Sequence, residues 1–392
     1  MGRTLIAEES LENNMSSLFN KDKWVIGVII GQITEQRDYI LHLATTPKME
    51  HDDPDGFKVT KEETLDTVDE SWIVTHAKQV TRMLPGGLDI LGIFASAPPD
   101  VMKNIQAKLR QSAARPADWK YQRFADKMHR LETKLSVNCF IPVSNTSLSQ
   151  SLQKQILHGI KPFCNKIQNS IATIDNQIAV GDEMLVPVQS GTGKKGRKHQ
   201  EEQTGKNFQV QLFEVMNPIK KEDLGPPQLV KCGAKLSING TVICVAFVHS
   251  KATKAEAIKA LKVDVLRSLV SRCQLLCEDF LQTEEEQDTK VLYETPLRVF
   301  APLGDSTVQL CDYMFPDETN NDVVDRFKEL LNVTVPEDML ETDCETLPDS
   351  SEISEAETAE QKTERRRVFI LGALAVLMAV LIAYLYQQDQ KR

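Results

Sequence analysis

Catalysis needs a nucleophile with its base, a cluster of metal donors or a loop that can hold phosphate, and this sequence offers only isolated parts of each. Its eight cysteines (Cys139, Cys164, Cys232, Cys244, Cys273, Cys277, Cys311 and Cys344) form no Cys-x-x-Cys pair and no disulfide-framework spacing. Cys273 and Cys277 stand four apart in a helical pattern and share a face, yet two thiols without a nearby His or further Cys make no four-ligand zinc site. Buried, structural thiols are expected. His76 falls on a helical stripe with Trp72 and Val80, with no second ligand at metal spacing, so a packing role is expected of it. The run Gly191-Thr192-Gly193-Lys194-Lys195-Gly196 departs from a phosphate loop at both critical places: Val188 stands where glycine is needed and Lys195 where Ser or Thr is needed. It reads as a solvated basic linker. There is no Gly-x-Ser-x-Gly elbow and no His-Glu-x-x-His helix.

The most informative segment is a site that has lost its chemistry. Gly92-Ile93-Phe94-Ala95-Ser96-Ala97-Pro98 resembles the metal strand of the MPN fold of ubiquitin-isopeptidase metalloproteases, where Gly-Trp-x-His-Ser-His-Pro supplies two zinc-binding imidazoles. Gly92, Ser96 and Pro98 keep that pattern, whereas Ala95 and Ala97 replace the histidines. The family's following Ser and Asp fall on Ile105 and Lys108. Zinc binds through lone pairs, and a methyl group offers none. The resemblance therefore implies a metal-free pseudoenzyme domain with an interaction role, and no metal or cofactor is expected. Gly27-Val28-Ile29-Ile30-Gly31 also looks like that fold's strand-to-turn signature.

The elements that must position these residues read as α/β (α+β). Apolar runs at Trp24 to Ile30, Tyr39 to Ala44 and Leu88 to Phe94 suit buried strands, and Asp69 caps a helix running to Arg82 that stops at the turn Leu84-Pro85-Gly86-Gly87. Further strands are expected at Leu135 to Val143, Phe208 to Val215, Lys231 to Ile238, Thr241 to Val248, Leu297 to Ala301 and Thr307 to Asp312. Asn239-Gly240 between two of them predicts a hairpin turn. Ala255 to Leu281 repeats Ile258, Leu261, Val265, Leu269 and Leu276 at helical spacing. The polar stretch Lys48 to Asp66 reads as a loop, and Glu337 to Glu360 is acidic, rich in Ser and Thr, and expected to be disordered.

Charge bounds the partners. With 392 residues, a net charge of -10 and no basic stripe interleaved with aromatics, nucleic acid is not the expected partner. The N-terminus lacks a signal-peptide pattern. Val368 to Tyr386, by contrast, is a run of 19 uncharged residues. Its apolar face is continuous through Val368, Phe369, Ile370, Leu371, Leu374, Leu377, Leu381, Ile382, Leu385 and Tyr386. As a helix it would be about 28 Å long, close to the roughly 27 Å hydrocarbon core of a thin bilayer. Arg365, Arg366 and Arg367 directly upstream favour a cytosolic N-terminal bulk, which makes this a tail anchor. The expected order is a metal-free domain over 1–111, a second α/β domain over 112–335, an acidic tether over 336–367, the membrane helix over 368–386 and a short luminal tail over 387–392.

Several scattered motifs point to one family. Met1-Gly2-Arg3-Thr4, Arg82-Met83-Leu84-Pro85-Gly86-Gly87, Ala114-Arg115-Pro116-Ala117-Asp118-Trp119-Lys120-Tyr121, Arg298-Val299-Phe300-Ala301-Pro302-Leu303 and Cys311-Asp312-Tyr313 closely resemble the odorant response abnormal protein four family. The resemblance covers nearly the whole chain, anchor included. It implies a non-enzymatic protein of the endoplasmic-reticulum membrane that helps G-protein-coupled receptors, odorant receptors among them, reach the cell surface. It also implies a partner, the cysteine protease specific for the Ufm ubiquitin-fold modifier. Here Val101 to Gln111 runs almost directly into Ala114, where family members carry a longer stretch with further strands, so a shortened form with an exposed strand edge is expected. The anchor alone also suits the mitochondrial outer membrane. The competing functional classes are a hydrolase acting on a modifier or lipid, and a structural membrane tether.

Overall fold

The computed structural model describes residues 4–18, 24–35, 37–48, 50–52, 58–60, 68–103, 118–143, 151–179, 181–187, 204–215, 234–282 and 295–345. The chain divides into two compact units, Met1–Thr346 and Leu347–Arg392. All described residues belong to the first, a mixed α/β structure.

Its first sheet has five strands in the order β6-β2-β3-β1-β7. They are β1 (Thr4–Ala7), β2 (Val25–Ile33), β3 (Arg37–Thr45), β6 (Asp89–Ser96) and β7 (Asp118–Tyr121); β4 (Glu50–Asp52) and β5 (Lys58–Thr60) form a small separate ribbon. β2 runs antiparallel to both β3 and β6, while β1 is parallel to β3 and β7. Two helices accompany it, α1 (Ser10–Leu18) and α2 (Glu70–Arg82). Asp69 caps α2 by accepting the Ser71 amide at 2.8 Å, and the exposed-buried periodicity places Ile73, His76 and Val80 inward.

The second sheet has the order β10-β9-β11-β8-β12, with β8 (His129–Val143), β9 (Ile171–Ile174), β10 (Gln177–Ile178), β11 (Asn207–Phe213) and β12 (Ala234–Val248). The expected Asn239-Gly240 hairpin is replaced by one continuous 15-residue strand. The reason is the partner: β8 is equally long and pairs with β12 along its whole length, Asn239 opposite Asn138 and Gly240 opposite Val137. Gly240 absorbs the local distortion at φ 142°, a conformation open to glycine. Helices α3 (Leu152–Asn169) and α4 (Lys254–Gln282) pack on this sheet. On α4 the positions Ala257, Leu261, Val265, Leu269, Cys273 and Cys277, each four residues on, form the buried stripe that meets it.

A third piece, the hairpin β13 (Leu297–Pro302) and β14 (Gln309–Met314) with α5 (Asn320–Leu331), completes the core. One apolar cluster joins Ile6, Val28, Val80, Leu84 and Leu88 to Phe124, Phe247, Phe300, Leu310 and Phe327. The boundary expected at 111/112 thus does not divide the core, since β7 completes the first sheet from beyond it and the buried cluster draws on both sides.

The Pro85-Gly86-Gly87 turn is the joint between the two sheets. The Gly86 amide donates to the Val245 carbonyl at 2.9 Å and its carbonyl accepts from Phe247 at 2.8 Å, so the turn adds to the free edge of β12. A Cβ on Gly86 would lie 2.3 Å from the Ala260 carbonyl oxygen, and one on Gly87, at φ 81°, 2.1 Å from that of Phe247. Only glycine lets the backbones approach this closely. Gln32 from β2 secures the joint, donating to the Gly87 and Phe247 carbonyls at 2.9 Å each and accepting the His249 amide at 2.8 Å.

Candidate functional site

The strand that carries Ala95 and Ala97 lies at the edge of the first sheet, not in its middle as its apolar sequence suggests. Among the described residues β6 pairs only with β2, Ala95 opposite Ile26 and Ser96 opposite Val25. Of its eight residues only Ser96 is buried. The Phe94 ring lies over Gly27, where a Cβ would come within 2.7 Å of it. Ala95 itself offers only a methyl group, with no lone pair for a cation. Ile105 and Lys108 lie outside the described residues. Among the described residues no group of three or more His, Cys, Asp or Glu side chains converges in a way that could hold a metal ion, and the donor set here does not fit zinc.

The strongest concentration of charge is elsewhere, in a cluster that the sequence reading missed. Asp264, Ser268 and Arg272 occupy successive turns of α4 and form a second stripe beside the apolar one. Arg298 enters from β13. Its guanidinium donates to both Asp264 oxygens, at 2.6 and 2.9 Å, and to the Cys311 sulfur at 3.0 Å. The other Asp264 contact is the Val245 amide of β12, at 2.8 Å. Arg272 holds Glu345 through a single nitrogen, Nη2, which donates to both carboxylate oxygens at 2.7 and 2.6 Å, while its Nη1 donates to the Pro296 carbonyl. Glu345 accepts two further backbone amides, Ile243 at 2.8 Å and Arg298 at 2.9 Å. All four ionised side chains are at most 2 % exposed.

Two rings lie against these cations, Phe300 under Arg298 at 5.1 Å and Tyr313 under Arg272 at 5.3 Å. Burial pushes the Cys311 thiol up to about 11 and the Tyr313 phenol up to about 12. Burial also works against the Arg298 charge, but the Asp264 carboxylate overcomes it and holds the guanidinium above its ordinary value. A neutral thiol, a neutral phenol and guanidinium groups held in ion pairs supply neither nucleophile nor base. What the cluster does is mechanical: it fastens α4, β12 and β13 to the segment that ends at Glu345. Residues 336–345, expected to belong to the tether, are part of the described fold. Glu337–Met339 is a 3-10 turn, Glu341 exchanges backbone hydrogen bonds with Phe300 at 2.9 and 3.1 Å, and Glu345 is 4 % exposed.

His76 fulfils the packing role expected of it. Its Nε2 lies 2.8 Å from the Leu330 carbonyl, and His42 of β3, half-buried, lies 2.6 Å from that of Leu331, so two imidazoles cap the C-terminus of α5. Burial lowers the pKa of both. Cys244, Cys273, Cys277 and Cys311 are buried and free, as expected of structural thiols. A shallow cleft of about 380 Å³ lies between the end of α3 and β11, lined by Asn165, Lys166, Asn169, Glu214 and Val215 and closed by the Lys166–Glu214 pair at 3.0 Å. The linker at 191–198, the triplet Arg365, Arg366 and Arg367, and the anchor from Val368 to Tyr386 all lie outside the described residues. Among the described residues no helix is long and apolar enough to cross a membrane.

With no working catalytic or metal constellation in the described fold, relatives decide the family. A family model described as Odorant response abnormal 4-like matches residues 27–112 and 101–342. The chain belongs to the odorant response abnormal 4-like family. The mouse protein odr-4 homolog is 31 % identical over 457 residues, covering 99 % of this chain and 100 % of the relative. The human homolog is 32 % identical over 88 % of this chain and 87 % of its own, and that of Dictyostelium discoideum 23 % identical over 79 % and 76 %. A solved structure of UfSP from C. elegans covers 85 % of this chain and 57 % of its own at 8 % identity with a TM-score of 0.46. Two features of the family match bear on chain length. The alignment with the mouse relative is longer than the 392 residues here, and the two matched segments meet at 101–112, the stretch where the sequence suggests shortening.

Proposed function

We propose that this odorant response abnormal 4-like chain is a non-catalytic, tail-anchored adaptor that assists the maturation or trafficking of G-protein-coupled receptors, odorant receptors among them. On this reading Val368 to Tyr386 spans the endoplasmic-reticulum membrane, Arg365 to Arg367 hold the bulk of the chain in the cytosol, and residues 1–111 are a metal-free relative of the MPN fold. The folded unit recruits the Ufm-modifier-specific cysteine protease to that membrane. The observation that carries the reading is family membership over nearly the full chain. Alanines at both positions of the lost imidazoles, and a buried cluster without nucleophile or base, support an adaptor over an enzyme. Because Glu345 is clamped into the core, 22 residues remain before Val368. A polar segment of that length has a root-mean-square reach of about 26 Å, which keeps the adaptor close to the bilayer surface.

The test is co-purification of the full chain from detergent extracts. Recovery of the modifier-specific protease together with client receptors is expected, and recovery of neither refutes the adaptor reading. A glycosylation acceptor fused after Arg392 tests the location separately, since it gains a glycan only if the tail enters the reticulum lumen.

A further inference from the structure

We propose that the outer edge of β6 is a self-association surface, at which a second copy of this chain adds its own β6 antiparallel across a two-fold axis.

Three of the four edges of the large sheets are blunted. β7 is four residues long and carries Asp118 and Lys120; β10 has only two residues. β12 is covered from Ile243 to Phe247 on its free side by the Gly86 turn, bridged to Ala246, and by Glu345, which takes the Ile243 amide, and it carries Lys235 nearer its start. β6 has none of these protections. It is eight residues long, and from Ile90 to Ser96 it contains neither a charge nor a proline. Ile93 is 57 % exposed, and among the described residues no strand pairs with the side of β6 away from β2. Native edges of this length are normally guarded by charge, proline or a covering segment, because their free amide and carbonyl groups template another strand.

The occupant follows from the strand itself. Centred on Ile93, an antiparallel copy sets Ile93 opposite Ile93, Gly92 opposite Phe94 and Leu91 opposite Ala95. No like charges meet, and the two-fold keeps each residue on its own face of the joined sheet. A Cβ built on Gly92 meets nothing within 4 Å, so space is open where the bulkier Phe94 of the second copy would stand. The irregularity in the pairing of β6 with β2 lies at Ile29/Ile30, opposite Leu91, and leaves Gly92 to Ser96 in regular register for a new neighbour. The family match falls into two segments that overlap at 101–112, shortly after β6.

The full chain in a mild non-ionic detergent, examined by light scattering with the detergent mass subtracted, should have the mass of two copies. Ile93→Lys should reduce this to one copy while leaving the far-ultraviolet circular dichroism unchanged, because the side chain is already more than half exposed. Ile93→Cys treated with glutathione disulfide should give an interchain disulfide as two thiols are oxidised and one glutathione disulfide is reduced to two glutathione. Opposed residues in such a pair lie about 4.5–5.5 Å apart at Cα, within disulfide range. Val74→Cys on α2, similarly exposed at 51 %, should not cross-link. A single-copy mass, or a dimer that survives Ile93→Lys, overturns the proposal, as does cross-linking of Ile93→Cys no greater than that of Val74→Cys.

Discussion

Removing the Glu345 carboxylate should cost far more than an acidic tail residue normally would. In Glu345→Ala the Arg272 guanidinium stays 2 % exposed with its counter-ion gone, and the amides of Ile243 and Arg298 lose their acceptor. Breaking a buried ion pair from one side costs about 3–5 kcal/mol, because the remaining charge is buried and uncompensated. For a cooperative unit of this size, with an unfolding entropy of about 2.1 cal/mol/K per residue, that corresponds to a fall in Tm of roughly 4–7 °C. The assay is thermal unfolding of the full chain in detergent. A double-mutant cycle then separates this clamp from generic loss of packing. Arg272→Met with Glu345→Leu removes both charges and leaves an apolar pair, so the double variant should be more stable than Glu345→Ala alone. Hydrogen exchange at the Ile243 and Arg298 amides should accelerate in the single variant. A Tm within about 1 °C of the parent, or strict additivity in the cycle, would refute the argument that Glu345 is a structural keystone.

Three further outcomes follow from the same geometry. Gly86→Ala, which must push the Ala260 carbonyl away from a 2.3 Å approach, should destabilise by about 1–3 kcal/mol in denaturant titrations, whereas Gly92→Ala, with open space, should change little. His42 and His76 have folded pKa values below the ordinary 6.5, so the unfolded chain takes up protons first as pH falls. Their contribution is fully present above about pH 6.5 and is lost as pH drops through and below it. The denaturation midpoint should therefore decline from pH 7.5 to 5.5, less steeply in a variant carrying Gln at both positions. Cys244 and Cys311, buried and with thiols pushed upward by burial, should resist maleimide in the native protein and react on unfolding.

Much of the fold was legible because periodicity reports burial. β2, β3, β13, β14, α2 and α4 lie within a few residues of where their apolar patterns place them, β8 starts at His129, well before the expected Leu135, and Asp69 caps its helix as its position suggests. β6 also lies where expected, but its apolar run was read as interior. Composition cannot tell a strand with two neighbours from one that lacks a second. α3 went unread because Gly159 and Pro162 interrupt it; the glycine is there to let the helix approach Ile141, whose side chain would be 2.3 Å from a Cβ. Asn239-Gly240 misled for the opposite reason: a local turn preference yielded to fifteen residues of pairing with β8.

The buried cluster shows where single-sequence reasoning stops and why. A signal was present, since Asp264, Ser268 and Arg272 repeat at four-residue spacing on a helix whose adjoining stripe is fully apolar, and Arg298 interrupts an otherwise apolar strand. Either could equally be a solvated position. What decides between the two is the partner, and Arg272 finds Glu345 across 73 positions of sequence. The acidic, Ser- and Thr-rich composition of 337–360 averages over a window, whereas burial is settled one side chain at a time. The same carboxylate that counts toward disorder in an average is the most constrained group in its segment, held by one guanidinium and two backbone amides. The described fold thus reaches Glu345, inside the acidic stretch, and is held there by a buried ion pair.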